Sequence, residues 1–188
     1  MFEKEIAKTL EYEGGFVNDA ADSGGATMGG LSLPYLIGIG DADHNGTLDF
    51  DLDKDGDVDP EDVKLVTREM VVEHFRKSFC EALSLDKLAS LRVRWKILDL
   101  AVNCGRGSAV QFAQRIVGVK VDGVMGPGTV AAINAWTNGG AKEFALLVGL
   151  SDQQMKRYID AVWSRPEKLK FLHGGWYRRC VDRGEGLA

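Results

Sequence analysis

The chain has 188 residues, of which 45% are hydrophobic, and carries a formal net charge of −5, so it can build one compact domain or two small lobes around a core. Its three cysteines, Cys80, Cys104 and Cys180, lie far apart without metal-ligand spacing, which argues against a disulfide framework and fits a reducing compartment. No run of eighteen apolar residues occurs and the N-terminus lacks the pattern of a secretory signal, so we expect no transmembrane segment.

The first stretch of the chain predicts a helix followed by an acidic residue. Phe2, Ile6 and Leu10 recur every four residues, which is typical of an amphipathic helix. Glu13 comes one turn later and directly precedes Gly14, a residue that often ends a helix. The negative end of the helix dipole disfavours an ionised carboxylate, so Glu13 suits the role of a general acid.

A second polar group would come from the segment that follows Glu13. A glycine pair at 24–25 allows the chain to turn back, and Asp22 and Thr27 flank this pair. Glycosidic cleavage needs a protonated carboxyl near the leaving oxygen and a second polar group on the other face of the sugar. Asp19 competes with Asp22 for the second role. A solvated helix end followed by an ordinary turn is the non-catalytic alternative.

Residues 13–19 and 24–27 resemble the signature of glycoside hydrolase family 108. Members of this family are lysozyme-like N-acetylmuramidases found among phage endolysins and secretion activator proteins. The family usually has Tyr at the position of Phe16 and Lys-Tyr-Gly-Ile-Thr at the position of residues 28–32, so this chain departs from the pattern there.

The resemblance implies roles for individual residues. It implies that Glu13 is the catalytic acid, and similarity to the triad of phage-type lysozymes makes Asp22 and Thr27 its partners. In the family, a segment similar to the one that contains Asn103 borders the cleft. Asn103 is therefore a candidate for substrate binding, and Asp19, in the stretch after Glu13, is the other candidate.

Residues 41–62 form an acidic insert with ten acidic residues and one basic residue, whereas the rest of the chain is mildly basic and suits an anionic polymer. From Asp51 onward the spacing matches a calcium loop, with side-chain oxygens at positions one, three and five, glycine at six and a carboxylate at twelve. So many carboxylates repel one another without a cation. The pattern predicts a structural calcium ion held by Asp51, Asp53, Asp55, Asp57 and Asp62.

An overlapping repeat offers a second candidate calcium site. Its twelfth position is Leu52 and its eleventh, Asp51, begins the next loop, so the two repeats cannot be independent helix-flanked hands. They resemble the tandem calcium repeats of dockerins and thrombospondin-type segments. A disordered acidic loop is the alternative. The candidate ligands of the second site are Asp41, Asp43, Asn45 and Asp49.

The remainder of the chain predicts helices joined by turns. The turn at 121–129 resembles that of small peptidoglycan-binding helical modules. Basic and aromatic residues interleave over 168–183, which suits an anionic glycan, a membrane face or a basic helix with a buried aromatic stripe. Apolar periodicity predicts helices over 61–80, 91–105, 107–118, 129–136, 142–150 and 152–164.

Together these elements predict a mainly α, lysozyme-like helical fold with a small β or loop region and an inserted calcium-binding loop. We expect a catalytic lobe at 1–90 and a helical lobe resembling a peptidoglycan-binding module at 91–188, packed as one compact unit. The resemblance implies an endolysin that cleaves the β-1,4 bond between N-acetylmuramic acid and N-acetylglucosamine by general acid catalysis. The alternative is a non-catalytic, calcium-dependent cell-wall- or protein-binding module.

The same resemblance implies peptidoglycan as the partner, and we expect a monomer. We expect synthesis in the host cytoplasm and action on the wall in the periplasm or outside the inner membrane, which requires a holin or another export route. No segment is typical of a nucleic-acid-binding module. Three dispersed histidines supply no zinc or thiol constellation for an amidase or peptidase.

Overall fold

The computed structural model describes residues 2–13, 25–42, 44–137 and 140–187, together with the backbone of 17–18. Within this part the protein is mainly helical with one small sheet, which confirms the predicted fold class. The chain divides into two compact units, one of residues 13–75 and one of residues 1–12 with 76–188. The lobe boundary predicted at residue 90 stays a prediction, because compact units follow contacts and not the limits of a domain.

The unit of residues 13–75 contains a three-stranded antiparallel sheet in the order β1, β2, β3. Thr27 of the central strand lies opposite Val17 on one side and Ser32 on the other. The core of the unit includes Leu36 and Val63, both fully buried. Its elements are β1 (Val17–Asn18), β2 (Ala26–Met28), β3 (Leu31–Ser32), α2 (Leu33–Ile39), α3 (Pro60–Leu65) and α4 (Arg68–Phe75).

Gly29 and Gly30 connect β2 and β3 as a two-residue turn that rests on α4. Both glycines have positive φ, +54° and +87°, which is what a tight hairpin of this length requires. A Cβ on Gly29 would lie 3.2 Å from the Cγ1 atom of Val71, which is buried like Phe75 one turn later. The conformation of the turn therefore depends on the pairing of β2 with β3 and on its packing against the apolar face of α4.

The predicted helix over 61–80 is interrupted. Asp59 caps α3, since its side chain accepts a hydrogen bond from the Glu61 backbone at 2.6 Å. The helix then ends at Leu65, because Val66 adopts a non-helical ψ of 118° and is buried. Thr67 starts α4 by accepting from the Met70 backbone, and a π-helical turn at Arg76–Glu81 follows.

The second unit is built around α5, which packs against α1, α6 and α8. Trp95, Ile97, Leu98 and Leu100 of α5 are fully buried, so this helix forms the core that its apolar periodicity predicted. The helices of this unit are α1 (Glu3–Leu10), α5 (Leu91–Cys104), α6 (Arg106–Val117), α7 (Pro127–Thr137), α8 (Gly140–Ser164), α9 (Leu169–Phe171) and α10 (Tyr177–Val181).

Helix α8 is continuous over 25 residues, whereas separate helices were predicted at 142–150 and 152–164. In the sequence, Ser151 and Asp152 are typical of a helix cap. In the structure Ser151 is buried, and the buried face of the helix continues through Gln154 and Tyr158. Burial of this face outweighs the local capping preference. The helix stops at Ser164, before Pro166, as predicted. No helix in the described part of the chain is long and apolar enough to span a membrane.

Candidate functional site

The carboxylate of Glu13 lies against the turn between β2 and β3. A Cβ on Gly30 would be 3.2 Å from Glu13 Oε2 and 3.6 Å from Cζ of Phe75. Because Gly30 also has a φ of +87°, glycine is the residue that leaves room for the half-buried Glu13 side chain. Sequence reasoning missed Gly30, although a glycine pair between two short apolar strands was the available signal.

Thr27 lies in the central strand of the same hairpin. Its neighbour Ala26 is almost completely buried, so strand alternation directs Thr27 away from that core face. The predicted partners Asp22 and Asp19 lie outside the described residues. The arrangement of Glu13 with these two carboxylates therefore stays a prediction.

Asn103 belongs to the other compact unit, near the end of α5. Its side-chain amide donates to the carbonyl of Asp99 at 2.8 Å, one helical turn earlier. This bond orients the half-buried side chain. A role of Asn103 in substrate binding stays a prediction.

The acidic loop that begins at Asp51 has a closed hydrogen-bond pattern. The two carboxylate oxygens of Asp51 accept from the backbone N–H groups of Asp55 and Gly56, each at 3.0 Å. The loop closes at its other end, where Asp62 Oδ1 accepts from the Leu52 backbone at 2.6 Å. Hydrogen bonds between carboxylates and backbone N–H groups thus involve positions one, two, five, six and twelve of the predicted calcium loop.

The carboxylates of this loop gather in two groups of three. Within each group the oxygens lie within 4.8 Å of one another. Such a distance suits an ion coordinated at about 2.4 Å by oxygens on opposite sides. Asp59, at position nine of the loop, was not among the ligands predicted from the sequence. The groups are Asp51, Asp53 and Asp55, and Asp57, Asp59 and Asp62.

The electrostatics of the loop differ between its exposed and its buried carboxylates. Repulsion from Asp55 is the largest cause that raises the pKa of Asp57 above its usual value. Burial opposes ionisation of Asp62, but backbone N–H donors from Asp59 and Leu52 outweigh burial and lower the pKa of Asp62. The loop backbone therefore stabilises the ionised form of Asp62, whereas the exposed carboxylates repel one another.

The preceding repeat has the same local geometry ten residues earlier. Asp41 accepts from the backbone N–H groups of Asn45 and Gly46 at 2.9 and 2.8 Å, as Asp51 does from its own fourth and fifth successors. His44 and Lys54 occupy equivalent places and both have positive φ, 59° and 65°. The predicted ligand Asp43 lies outside the described residues. For Asp49 the structure shows a backbone N–H that donates to the Gly40 carbonyl at 2.9 Å.

The turn that resembles peptidoglycan-binding modules is organised by Gln114 of α6. The side-chain amide donates to Asp122 Oδ1 at 2.8 Å, and to the Val124 carbonyl and Thr129 Oγ1 at 3.1 Å. Its carbonyl oxygen accepts from the backbone of Asp122 and Gly123. The polar residues of this turn are therefore used internally, which explains the pattern as a structural one. Its Gln114 partner was not recognised from sequence.

The cysteines do not form a nucleophilic site. All three are free, and burial raises the pKa of Cys80 and Cys180 to about 12 and that of Cys104 to about 11. A thiol with such a pKa is almost entirely protonated at neutral pH and is a poor nucleophile.

Two known protein families match consecutive parts of the chain. Residues 6–105 match the model of the family described as Glycosyl hydrolase 108, and residues 108–181 match that of the Predicted Peptidoglycan domain. A solved structure of SagA from Brucella abortus is similar at 26% identity and a TM-score of 0.68, over 95% of this chain and 88% of that one. A search among curated proteins gives no match. The chain therefore belongs to the glycosyl hydrolase 108 family and is a lysozyme-like glycoside hydrolase that acts on peptidoglycan.

Proposed function

We propose that this protein is an N-acetylmuramidase that cleaves the β-1,4 bond between N-acetylmuramic acid and N-acetylglucosamine, with Glu13 as the general acid. The observation that carries the proposal is the position of the Glu13 carboxylate, half-buried against the Gly30 turn and inside the matched hydrolase region. A general acid must present its proton from a defined place near the leaving oxygen. A carboxylate packed against a tight turn meets this requirement.

We assign the second catalytic role, which complements that of the general acid, to Asp22 together with Thr27. They would orient a water molecule or stabilise the oxocarbenium-like transition state after Glu13 has protonated the leaving oxygen. Thr27 stands on the central strand, in the same hairpin as the turn that supports Glu13. The separation of the two carboxyl groups would decide between inverting and retaining chemistry.

Analysis of the products tests the proposed bond specificity. Purified peptidoglycan is digested with the full-length protein, the released fragments are reduced with borohydride, and their masses and fragmentation are recorded. A muramidase leaves N-acetylmuramic acid at each new reducing end, so reduced muramic acid is the expected terminus. Reduced N-acetylglucosamine at the new ends would contradict the proposal and indicate a glucosaminidase.

Gly30→Ala is expected to lower kcat/KM on peptidoglycan by about 10- to 100-fold, since a displacement of about 1 Å at a catalytic group can have an effect of this size. The added methyl group would meet Glu13 Oε2 at 3.2 Å and move the carboxylate. The positive φ of residue 30 adds a loss of stability of about 1–2 kcal/mol. Activity and urea unfolding are measured on the same preparation.

Gly29→Ala is the matched control for this variant. It places a methyl group on the neighbouring residue, which also has positive φ, but that group meets Val71 and not Glu13. A comparable loss of stability with nearly normal kcat/KM is expected for Gly29→Ala. If both variants lose the same activity at matched folded fractions, Gly30 has no specific effect on Glu13.

We further propose that the acidic insert binds structural calcium, in the loop from Asp51 and in the repeat from Asp41. Support comes from the repetition of the same carboxylate-to-backbone bonds at an interval of ten residues. The donors are carboxylate and amide oxygens, the hard ligands that calcium prefers. When bound, the ion would neutralise the mutual repulsion of the carboxylates and hold the insert in one conformation.

Calcium in about 100-fold excess over its dissociation constant is expected to stabilise the protein by about 2.7 kcal/mol relative to chelator, which raises the melting temperature by several degrees.

Asp53→Ala should weaken calcium binding measured by calorimetry, because Asp53 is an exposed member of the first carboxylate group. Asp152→Ala, which removes an exposed carboxylate on α8, is the control. Equal melting temperatures in calcium and in chelator would refute the calcium proposal.

For the setting of the reaction we propose a monomer that is made in the host cytoplasm and reaches the wall through a holin or another export route. The reason for an export route is that a peptidoglycan hydrolase must meet its substrate outside the inner membrane. Sedimentation of the purified protein and lysis of cells that co-express a holin are the corresponding tests.

A further inference from the structure

Helices α6 and α8 form a surface pocket of about 530 Å³. Ser108, Phe112 and Arg115 line it from α6 at intervals of four and three residues, so they share one face of that helix. Lys156 and Asp160 line it from α8 with the same periodicity. The pocket thus lies between two continuous helices of one compact unit, and rigid elements position its side chains.

The pocket carries an excess of positive charge. Arg115, Lys156 and Arg157 bring three cations to it, and Asp160 brings one anion. Within the described ranges, none of these cations has a carboxylate oxygen within 4.0 Å. The positive charge of the pocket is therefore not neutralised by salt bridges to the described residues.

Apolar ring surface accompanies this charge. The guanidinium carbon of Arg115 lies over the ring of Phe112 at 5.8 Å from its centroid, within the range of a cation–π interaction. Trp163 follows Asp160 by three residues on α8 and is 87% exposed. Trp163 is not among the residues that line the pocket, but an exposed tryptophan one helical turn from a lining residue is a platform on which a sugar ring or a peptide plane can pack.

We propose that this pocket binds the stem peptides of peptidoglycan through their free carboxylates. The proposal rests on the proposed function for the identity of the polymer. Arginine recognises carboxylates with paired hydrogen bonds, and Lys156 adds a point charge beside them. The pocket lies wholly within the region that matches the peptidoglycan domain.

Asp160 distinguishes stem peptides from a phosphate polymer. An uncrosslinked stem peptide presents several carboxylates and the side-chain amine of its diamino acid, a mixture of charges that matches three cations beside one carboxylate. A teichoic acid backbone offers phosphates alone and therefore has no amine to pair with Asp160. Charge complementarity therefore favours the stem peptide as the occupant.

The test measures binding of the full-length protein to purified Gram-negative sacculi, which contain no teichoic acid. Lys156→Gln combined with Arg157→Gln is expected to weaken binding by about tenfold or more, since two charged hydrogen-bonding groups are lost. A free diaminopimelate-containing stem tripeptide should compete with the wild-type protein. Peptide-free glycan strands, prepared by amidase treatment, keep a lactyl carboxylate on each muramic acid but no stem peptide, and they should bind wild type and the double variant equally.

Lys142→Gln with Arg165→Gln is the matched control, because it removes two exposed cations that do not line the pocket. Retention of sacculus binding by this control, at an unchanged melting temperature for both variants, is the expected result. The proposal is overturned if the pocket variant binds sacculi like wild type, or if the control weakens binding to the same extent. Competition by glycerol-phosphate polymer without competition by the stem tripeptide would overturn it as well.

Turnover of peptide-free glycan strands separates this proposal from the proposed function. Wild type and the pocket variant should release reducing ends from these strands at equal rates, because the strands lack the stem peptides that the pocket binds. Absence of release by the wild type would count against the muramidase while the sacculus-binding comparison still decides the pocket.

Discussion

Glu13→Gln is expected to lower the hydrolysis of purified peptidoglycan by about 10²- to 10⁴-fold, the range that a general acid contributes. Glutamine keeps the size of the side chain and can occupy the same place against the Gly30 turn, but it cannot deliver a proton to the leaving oxygen. The measurement is the initial rate of reducing-end formation. Thermal unfolding of the same sample should change little, since the substitution preserves side-chain volume.

Glu11→Gln is a close control for Glu13→Gln. Glu11 is exposed at the C-cap of α1, only two residues before Glu13, and the substitution changes the charge by the same amount. Near-normal activity is expected for Glu11→Gln. Wall lysis that survives Glu13→Gln in a folded protein would remove the general-acid assignment. A wild-type protein that binds peptidoglycan and releases no sugar would instead favour the non-catalytic binding module.

Lys96→Met is expected to destabilise the protein by about 3–5 kcal/mol, the magnitude seen when one partner of a buried charged network is removed. Lys96 Nζ is completely buried and donates to Gln154 Oε1 at 2.8 Å and to the carbonyls of Arg179 and Asp182 at 2.9 and 3.1 Å. Methionine would leave these acceptors unsatisfied. The change is measured by urea unfolding.

The network around Lys96 connects the core helix α5 to the C-terminal segment. Burial lowers the pKa of Lys96, and the nearby Asp99 opposes this shift. Asp99 itself accepts from Arg179 Nε at 2.5 Å and from Gln154 at 2.9 Å. Loss of Lys96 should therefore loosen the C-terminal segment first, visible as faster tryptic cleavage after Arg179.

Lys142→Met provides the comparison for Lys96→Met, because it makes the same substitution at an exposed position near the start of α8. We expect its unfolding free energy to stay within about 0.5 kcal/mol of the wild-type value. A similarly small effect of Lys96→Met would show that the buried network contributes little to stability.

Apolar periodicity predicted several helices well, and its two errors share a cause. Helices α5 and α6 begin and end within about one residue of the expected bounds. The prediction over 61–80 missed a break at Val66, and that over 142–164 introduced a break at Ser151. In both places burial decided the backbone conformation, since Val66 turns out of the helix while buried and Ser151 stays helical within the core.

The features of the candidate site also include some that a short segment of sequence reveals and others that only the tertiary structure reveals. Glu13, the calcium-loop pattern and the family signature could be recognised from sequence because each depends on residues within a short segment. The support of Glu13 by Gly30 could not, because no local pattern tells which side chain will approach a glycine turn. The cationic pocket likewise combines two helices whose residues lie far apart along the chain.

By itself, the sequence determined the helical class, the acidic insert and the identity of the principal candidate acid, because periodicity, charge spacing and short motifs are local properties of the chain. Only the tertiary structure decided what surrounds these features. Lys96 meets Gln154 and Asp182 across 58 and 86 residues of sequence. Such contacts depend on how the helices pack, and packing is a property of the whole chain.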